Sequence, residues 1–204
     1  MGKPWNAIDW EADHPSLQDV SASRQRIEFQ QTDVTSPAAL HLVEVFRSFF
    51  HDGGAHIASF QVSGVDEIAH WFFSRNRFEE YGFVAALLTS DAMASSLPDI
   101  TPVDTEMVEA AFKESNALLF DGQIAEALVW GGPYANFDGS MADAKRLGVE
   151  VCNELIGERF QDFRLDNSHE PWSKWFKGVA WDFSWILIDR RDERVTLICI
   201  TDTD

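Results

Sequence analysis

The sequence predicts an α+β fold: a single domain over residues 1–204 with a mostly antiparallel sheet, whose central β-hairpin at about 179–201 lies under amphipathic helices. Three observations predict it. First, "VAWDFSWILID" and "RVTLICIT" are apolar runs rich in β-branched and aromatic residues, and they flank a polar four-residue connection, Arg190 to Glu193; that is a hairpin length. Second, neither run alternates strictly, so both faces of these strands are expected to be covered, as in the centre of a sheet. Third, apolar residues elsewhere recur at helical spacing behind cap signals, and 204 residues with 16 Phe and 8 Trp can bury a sizeable core.

The chain to about Val20 reads as irregular, with Trp5 and Trp10 as anchors onto the body. "RQRIEFQQTDV" alternates weakly, as a strand does. "TSPAALHLVEVFRSFFHDGG" is a punctuated helix: Ser36 can cap, Pro37 fits the first helical position and Gly53-Gly54 stops it. "AHIASFQV" reads as a strand. Ser63 and Asp66 have capping-box spacing, opening a helix from about Val65 to Ser74. "YGFVAALLTS" is a short apolar run that does not set its own period, and it reads as a strand. In "TPVDTEMVEAAFKES", Thr101 caps, Pro102 comes first and Asp104 falls in the first turn. "NALLFDGQIAEALVW" is either a hairpin or a helix, and its Asp121-Gly122 pair favours the hairpin. "GGPYANFDG" is a loop, after which a helix capped by Ser140 runs to about Ile156, with Ala144, Leu147, Val151 and Leu155 on one face. "FQDFRL" reads as a strand and "EPWSKWFKG" as a turn.

Charge narrows the function. The chain carries 34 acidic against 16 basic residues, net -18. That balance argues against non-specific binding to nucleic acid or anionic membrane, which needs clustered Lys and Arg. Residues 89–143 hold ten acids against Lys113 alone. Such a segment favours solubility and would steer a basic protein partner toward it. The first functional expectation is therefore a non-catalytic acidic interaction protein, of which an immunity-type inhibitor of a basic toxin or nuclease is one concrete version. Glu106, Glu109, Glu114 and Asp138 are the candidate partner-binding residues, on a face formed by about Asp91 to Asp143. Glu106 and Glu109, three apart, project from neighbouring positions on one helix.

The alternative is a small-molecule-binding protein or enzyme. Its site would lie at the 131–140 loop, with Tyr134, Asn136 and Ser140, together with Trp172 and Trp175 from the turn before the last hairpin. Gly131-Gly132 allow close backbone approach, and Ser140 opens a helix, but no phosphate-loop pattern occurs there. No nucleophile elbow, HExxH or kinase motif is found, and no catalytic residue, cofactor or metal ligand is assigned. "HDGGAH" has two histidines and an aspartate, but the spacing matches no standard zinc loop.

Cys152 and Cys199 read as buried, reduced thiols. No leader-like opening and no apolar run of membrane-spanning length occur, so the expected location is cytoplasmic. At the chain's acidic tip, a turn centred between Arg191 and Asp192 places Asp182 opposite Thr201 and Trp181 opposite Asp202. The expectation is that these acids solvate a strand end; a hard-cation site there would need a further oxygen, such as Asp138.

Overall fold

The computed structural model describes residues 5–100, 102 and 104–203. Among them, six strands form one sheet: β1 (Glu28–Thr32), β2 (Gly54–Ser63), β3 (Lys113–Ser115), β4 (Phe163–Ser168), β5 (Phe183–Asp189) and β6 (Arg194–Thr201). Every neighbouring pair is antiparallel, in the order β1-β2-β6-β5-β4-β3. The fold is α+β, as the sequence predicts. The last hairpin takes the expected register, from Phe183 opposite Ile200 to Asp189 opposite Arg194. It occupies the middle of the sheet, and all seven residues of β5 are buried.

Helices cover both faces. On one side lie α2 (Pro37–Phe49), α8 (Phe120–Trp130) and α9 (Met141–Leu155), packed over Phe183, Trp185, Leu187, Ile198 and Ile200. On the other lie α3 (Glu67–Ser74), α4 (Phe78–Tyr81), α5 (Phe83–Leu88), α6 (Asp91–Ser96) and α7 (Thr105–Ala111), over Ile186, Ile188, Val195, Leu197 and Cys199. Odd and even residues of one strand feed different cores, which is the period-2 geometry of a strand buried on both sides. Trp5 is fully buried in the second core, tilted against Phe73 at 4.8 Å between ring centroids. Its backbone N–H donates to the Arg190 carbonyl at 3.3 Å, pinning the N-terminal segment to the hairpin turn. Cys152 and Cys199 are free and buried in opposite cores.

Local caps set the helix starts. Ser36 Oγ accepts the Ala39 N–H at 3.0 Å, with Pro37 first in α2. Glu154, reaching from α9, accepts both the Ser36 hydroxyl (2.7 Å) and the Ala38 N–H (2.9 Å). The Ser36 hydroxyl and then that N–H hold the Glu154 carboxyl below its ordinary range. Ser140 and Asp143 form a reciprocal capping box on α9.

Several expected elements differ. The irregular N-terminal stretch contains α1 (Leu17–Arg24), opened by a Ser16/Asp19 capping box. Asp66 itself caps α3, because Gly64 turns the chain with φ +72° and delays the helix. Asp104 caps α7; Thr101, the expected cap, lies outside the described residues. "YGFVAALLTS" is helical, not a strand. Gly82, with φ +73°, ends α4 and starts α5, whose apolar residues pack into the core. "NALLFDGQIAEALVW" is also helical. A 3-10 turn at Ala117–Leu119, capped by Asn116, leads into α8, and Asp121-Gly122 fall inside that helix. Packing outweighs the turn preference of Asp-Gly: Ile124, Ala127 and Leu128 are fully buried. At Gly148 of α9 the two helices come so close that a Cβ would lie 2.3 Å from the Asp121 carbonyl oxygen.

Candidate functional site

A cleft lies beside the sheet's β1 edge, on the α3–α7 side. Its volume is about 680 Å³. Ile27 and Phe29 form its apolar wall, with Ala85 and Ala86 from α5. Three carboxylates line it: Glu28 at the start of β1, Asp91 in the first turn of α6 and Glu109 on α7. Ser90 accepts the Met93 N–H at 3.1 Å and starts α6 at Asp91, where an acid meets the positive end of the helix dipole. Asp104 accepts the Glu106 N–H at 2.9 Å and starts α7, which carries Glu109 beyond its first turn.

Gly82 opens the floor of the cleft. A Cβ there would lie 2.8 Å from the Arg24 guanidinium and 3.1 Å from Glu109 Oε1. Arg24 is the basic residue of the lining, and its Nε donates to the Tyr81 carbonyl. Glu28, Asp91 and Glu109 have no ion pair among the described residues, so the cleft keeps a surplus of negative charge. On β1, no backbone group of Glu28–Thr32 bonds outside the β2 ladder among the described residues. That strand is an open edge.

The residues expected to bind a partner do not share one face. Glu106 and Glu109 are exposed on α7. Glu114 lies on β3, where it takes hydrogen bonds from Asn76 Nδ2 (2.7 Å) and Arg164 (3.1 Å). Asp138 is exposed in the 131–140 loop, whose Ala135 and Phe137 pack on the opposite core. The physical reason is topological: the chain leaves α7, passes along the sheet edge as β3 and crosses to the other face as α8. Two further acids of the segment are paired there, Asp121 with Lys145 and Asp143 with Arg146. The expected continuous face from Asp91 to Asp143 is therefore divided between two layers.

The alternative pocket is not assembled. Tyr134 and Asn136 are exposed. Ser140 is engaged by Asp143, whose carboxyl the Ser140 hydroxyl draws down to about 2. That acid occupies the helix N-terminus where an anion would otherwise sit. Trp172 is fully buried; its Nε1 donates to Ser184 Oγ at 2.8 Å, and it packs on Phe112 and Phe176. Trp175 is half-buried against His56, 5.1 Å between centroids. Both tryptophans belong to the α3–α7 core, whereas the 131–140 loop packs on the α2–α8–α9 core.

The acidic tip is not solvated as expected. Asp182 and Asp202 are both buried. Asp182 ties the loop before β5 to Thr201, and Asp202 Oδ1 accepts the N–H groups of His51 and Asp52 at 3.1 and 2.9 Å. Asp202 Oδ2 is buried without a partner. Both aspartates cap loops whose N–H groups would otherwise be buried unbonded, and the glycine-bearing loops preceding β2 and β5 are the only sequence signal of that need. Among the described residues no three His, Cys, Asp or Glu side chains form a metal-binding group, and no helix is long and apolar enough to cross a membrane.

Sequence reasoning also missed a buried ion pair. Arg164 and Asp166, two apart on β4, form a fork-like pair (Nε to Oδ2 at 2.8 Å, Nη2 to Oδ1 at 2.6 Å), and Arg164 also donates to the Asn76 carbonyl. Both are almost fully buried.

No protein-family model matches the chain, and no curated protein matches its sequence.

Proposed function

We propose that the protein is a non-catalytic interaction protein that docks a basic protein partner, of the kind that neutralises a cationic toxin such as a nuclease, at the cleft beside β1. The observation that supports this reading is that Glu28, Asp91 and Glu109 line one cleft without an ion pair among the described residues. Carboxylates held in a concave surface focus negative potential and speed encounter with a cationic molecule. The net charge of -18 adds a long-range attraction of the same sign. Glu106, exposed on the same helix as Glu109, extends the surface.

The test is affinity capture from the native host at low salt, followed by binding measurements with each purified partner. A basic partner that binds the native protein and is lost on E28K/D91K/E109K, but retained by a control triple on the other face, E126K/E150K/D138K, is the expected result. Loss of binding in both triples, or capture of no basic protein, would falsify the reading.

A further inference from the structure

A second cavity, of about 480 Å³, lies between the N-terminal segment, α3 and the β5–β6 turn. We propose that it is a binding site for a small organic cation, a guanidinium or ammonium group borne on a body that also offers a hydrogen-bond acceptor. The proposal is independent of the cleft beside β1 and stands whether or not that cleft docks a protein.

Two tryptophans, Trp5 and Trp71, form part of the wall, and Asp9, Glu67 and Glu193 line it with them. Those three carboxylates have no ion pair among the described residues. Aromatic surface combined with carboxylates is the chemistry that holds a cation out of water, the rings through their negative faces and the acids through direct bonds. The wall already displays this preference: Arg75 and Arg77 place their guanidinium groups 4.3 and 5.2 Å from the Trp71 ring centroid. Arg75 bonds to the backbone carbonyls of Asp9 and Trp71, so its charge neutralises none of the three acids directly.

The requirement for an acceptor comes from a different observation. Trp5 is fully buried, and its indole N–H has no acceptor among the described residues. A buried donor left unbonded costs on the order of 1–3 kcal/mol, and a ligand oxygen that reaches it satisfies it. Trp71, by contrast, donates to the Ala12 carbonyl at 3.1 Å and is already satisfied. Glu193 reaches the wall from a left-handed backbone conformation, φ +54°, in the hairpin turn. A non-glycine residue is uncommon there, and such conformations concentrate at binding sites.

The cation can arrive free or as an arginine side chain of a peptide, and the two sources are separated by probe. L-arginine and the peptide Gly-Gly-Arg-Gly-Gly-amide are titrated into the full chain, with citrulline as the neutral isostere. Two-dimensional NMR follows the Trp5 indole N–H, assigned with the Trp5→Phe variant or by through-bond experiments if that variant does not fold. The expected result is a saturable shift of that resonance with at least one cationic probe, citrulline binding about tenfold or more weakly. The variant E67Q/E193Q, which removes two charges without breaking an ion pair, weakens binding by at least a similar factor. Stronger binding of the peptide assigns the site to a side chain, and stronger binding of free arginine to a small molecule. The proposal is overturned by absence of a saturable shift up to about 10 mM of either probe, by citrulline binding as well as arginine, or by undiminished binding to E67Q/E193Q.

Discussion

Asp182 and Thr201 stand opposite each other at the open end of the central hairpin, and the Thr201 hydroxyl donates to Asp182 Oδ1 across it. The other carboxylate oxygen accepts three backbone N–H groups, from Lys177, Gly178 and Val179, at 3.2, 2.7 and 3.1 Å. One buried side chain thus closes the sheet end and folds the loop that carries Trp172 and Trp175. Asp182→Ala strands several donors at once, and the expected loss is about 3 kcal/mol or more. Asp182→Asn keeps one acceptor oxygen and should lose less. Urea denaturation measures both; a loss below about 1 kcal/mol for the alanine variant would show that the 177–179 loop finds other acceptors.

Gly148→Ala is expected to destabilise, although alanine is the better helix former by about 1 kcal/mol. The added Cβ would meet the Asp121 carbonyl oxygen at 2.3 Å, which is backbone and cannot swing away. α8 and α9 must separate, at a cost of about 1–3 kcal/mol. Gly122→Ala is the control, since its Cβ comes no nearer to a neighbour than 3.9 Å, at Lys145 Nζ. Thermal melts of the two variants should move in opposite directions.

Stability should fall on the alkaline side through one tyrosine. Burial pushes the Tyr81 hydroxyl up to about 12 from its ordinary 10. The unfolded chain therefore loses this proton first. The stabilisation is complete below pH 10 and is lost as pH climbs from 10 toward 12. Burial likewise pushes the Cys199 thiol up to about 12, widening the window downward to about 9. Tyr134→Phe leaves Tyr81 as the sole tyrosine, so its ionisation can be followed by ultraviolet absorbance. Titration of that variant near pH 10 with the fold intact would contradict the burial seen here.

Arg164 and Asp166 give a test of opposite logic. Arg164→Met leaves Asp166 buried without its guanidinium, and the expected cost is about 3–5 kcal/mol. The double variant Arg164→Met/Asp166→Leu removes both charges and should recover most of that loss. Burial already holds the Asp166 carboxyl above its ordinary range even with Arg164 beside it. A double variant no more stable than the single one would mean that Arg164 acts chiefly through Asn76 and Glu114.

The parts of this fold that were legible in the sequence are those fixed by local chemistry. Four polar residues between two apolar arms set the hairpin and its register. Ser36-Pro37 and Ser140 with Asp143 set two helix starts, because a cap acts within one turn of chain. α5 and α8 were misread where the local signal was weak or pointed elsewhere: a short apolar run has no period of its own, and Asp-Gly suits a turn until α9 packs over it. The cleft carboxylates were only partly legible. Glu109 could be singled out from local charge density, but Glu28 comes from 81 positions earlier in the chain and joins it only through the sheet. The burial of Asp202 was equally invisible, since it is decided by bonds to His51 and Asp52 of another segment.

The pairing of β2 with β6 joins residues 54–63 to residues 194–201. On the ribosome, β1 and β2 can form a ribbon early, but β2 then waits with its other side unpaired while more than a hundred further residues are made. Its long-range partner arrives late, and such delayed closure slows folding and exposes apolar strands to neighbouring nascent chains. Overexpression at reduced temperature, which thins the traffic of half-made copies, should therefore raise the yield of this protein more than that of a helical bundle of equal length.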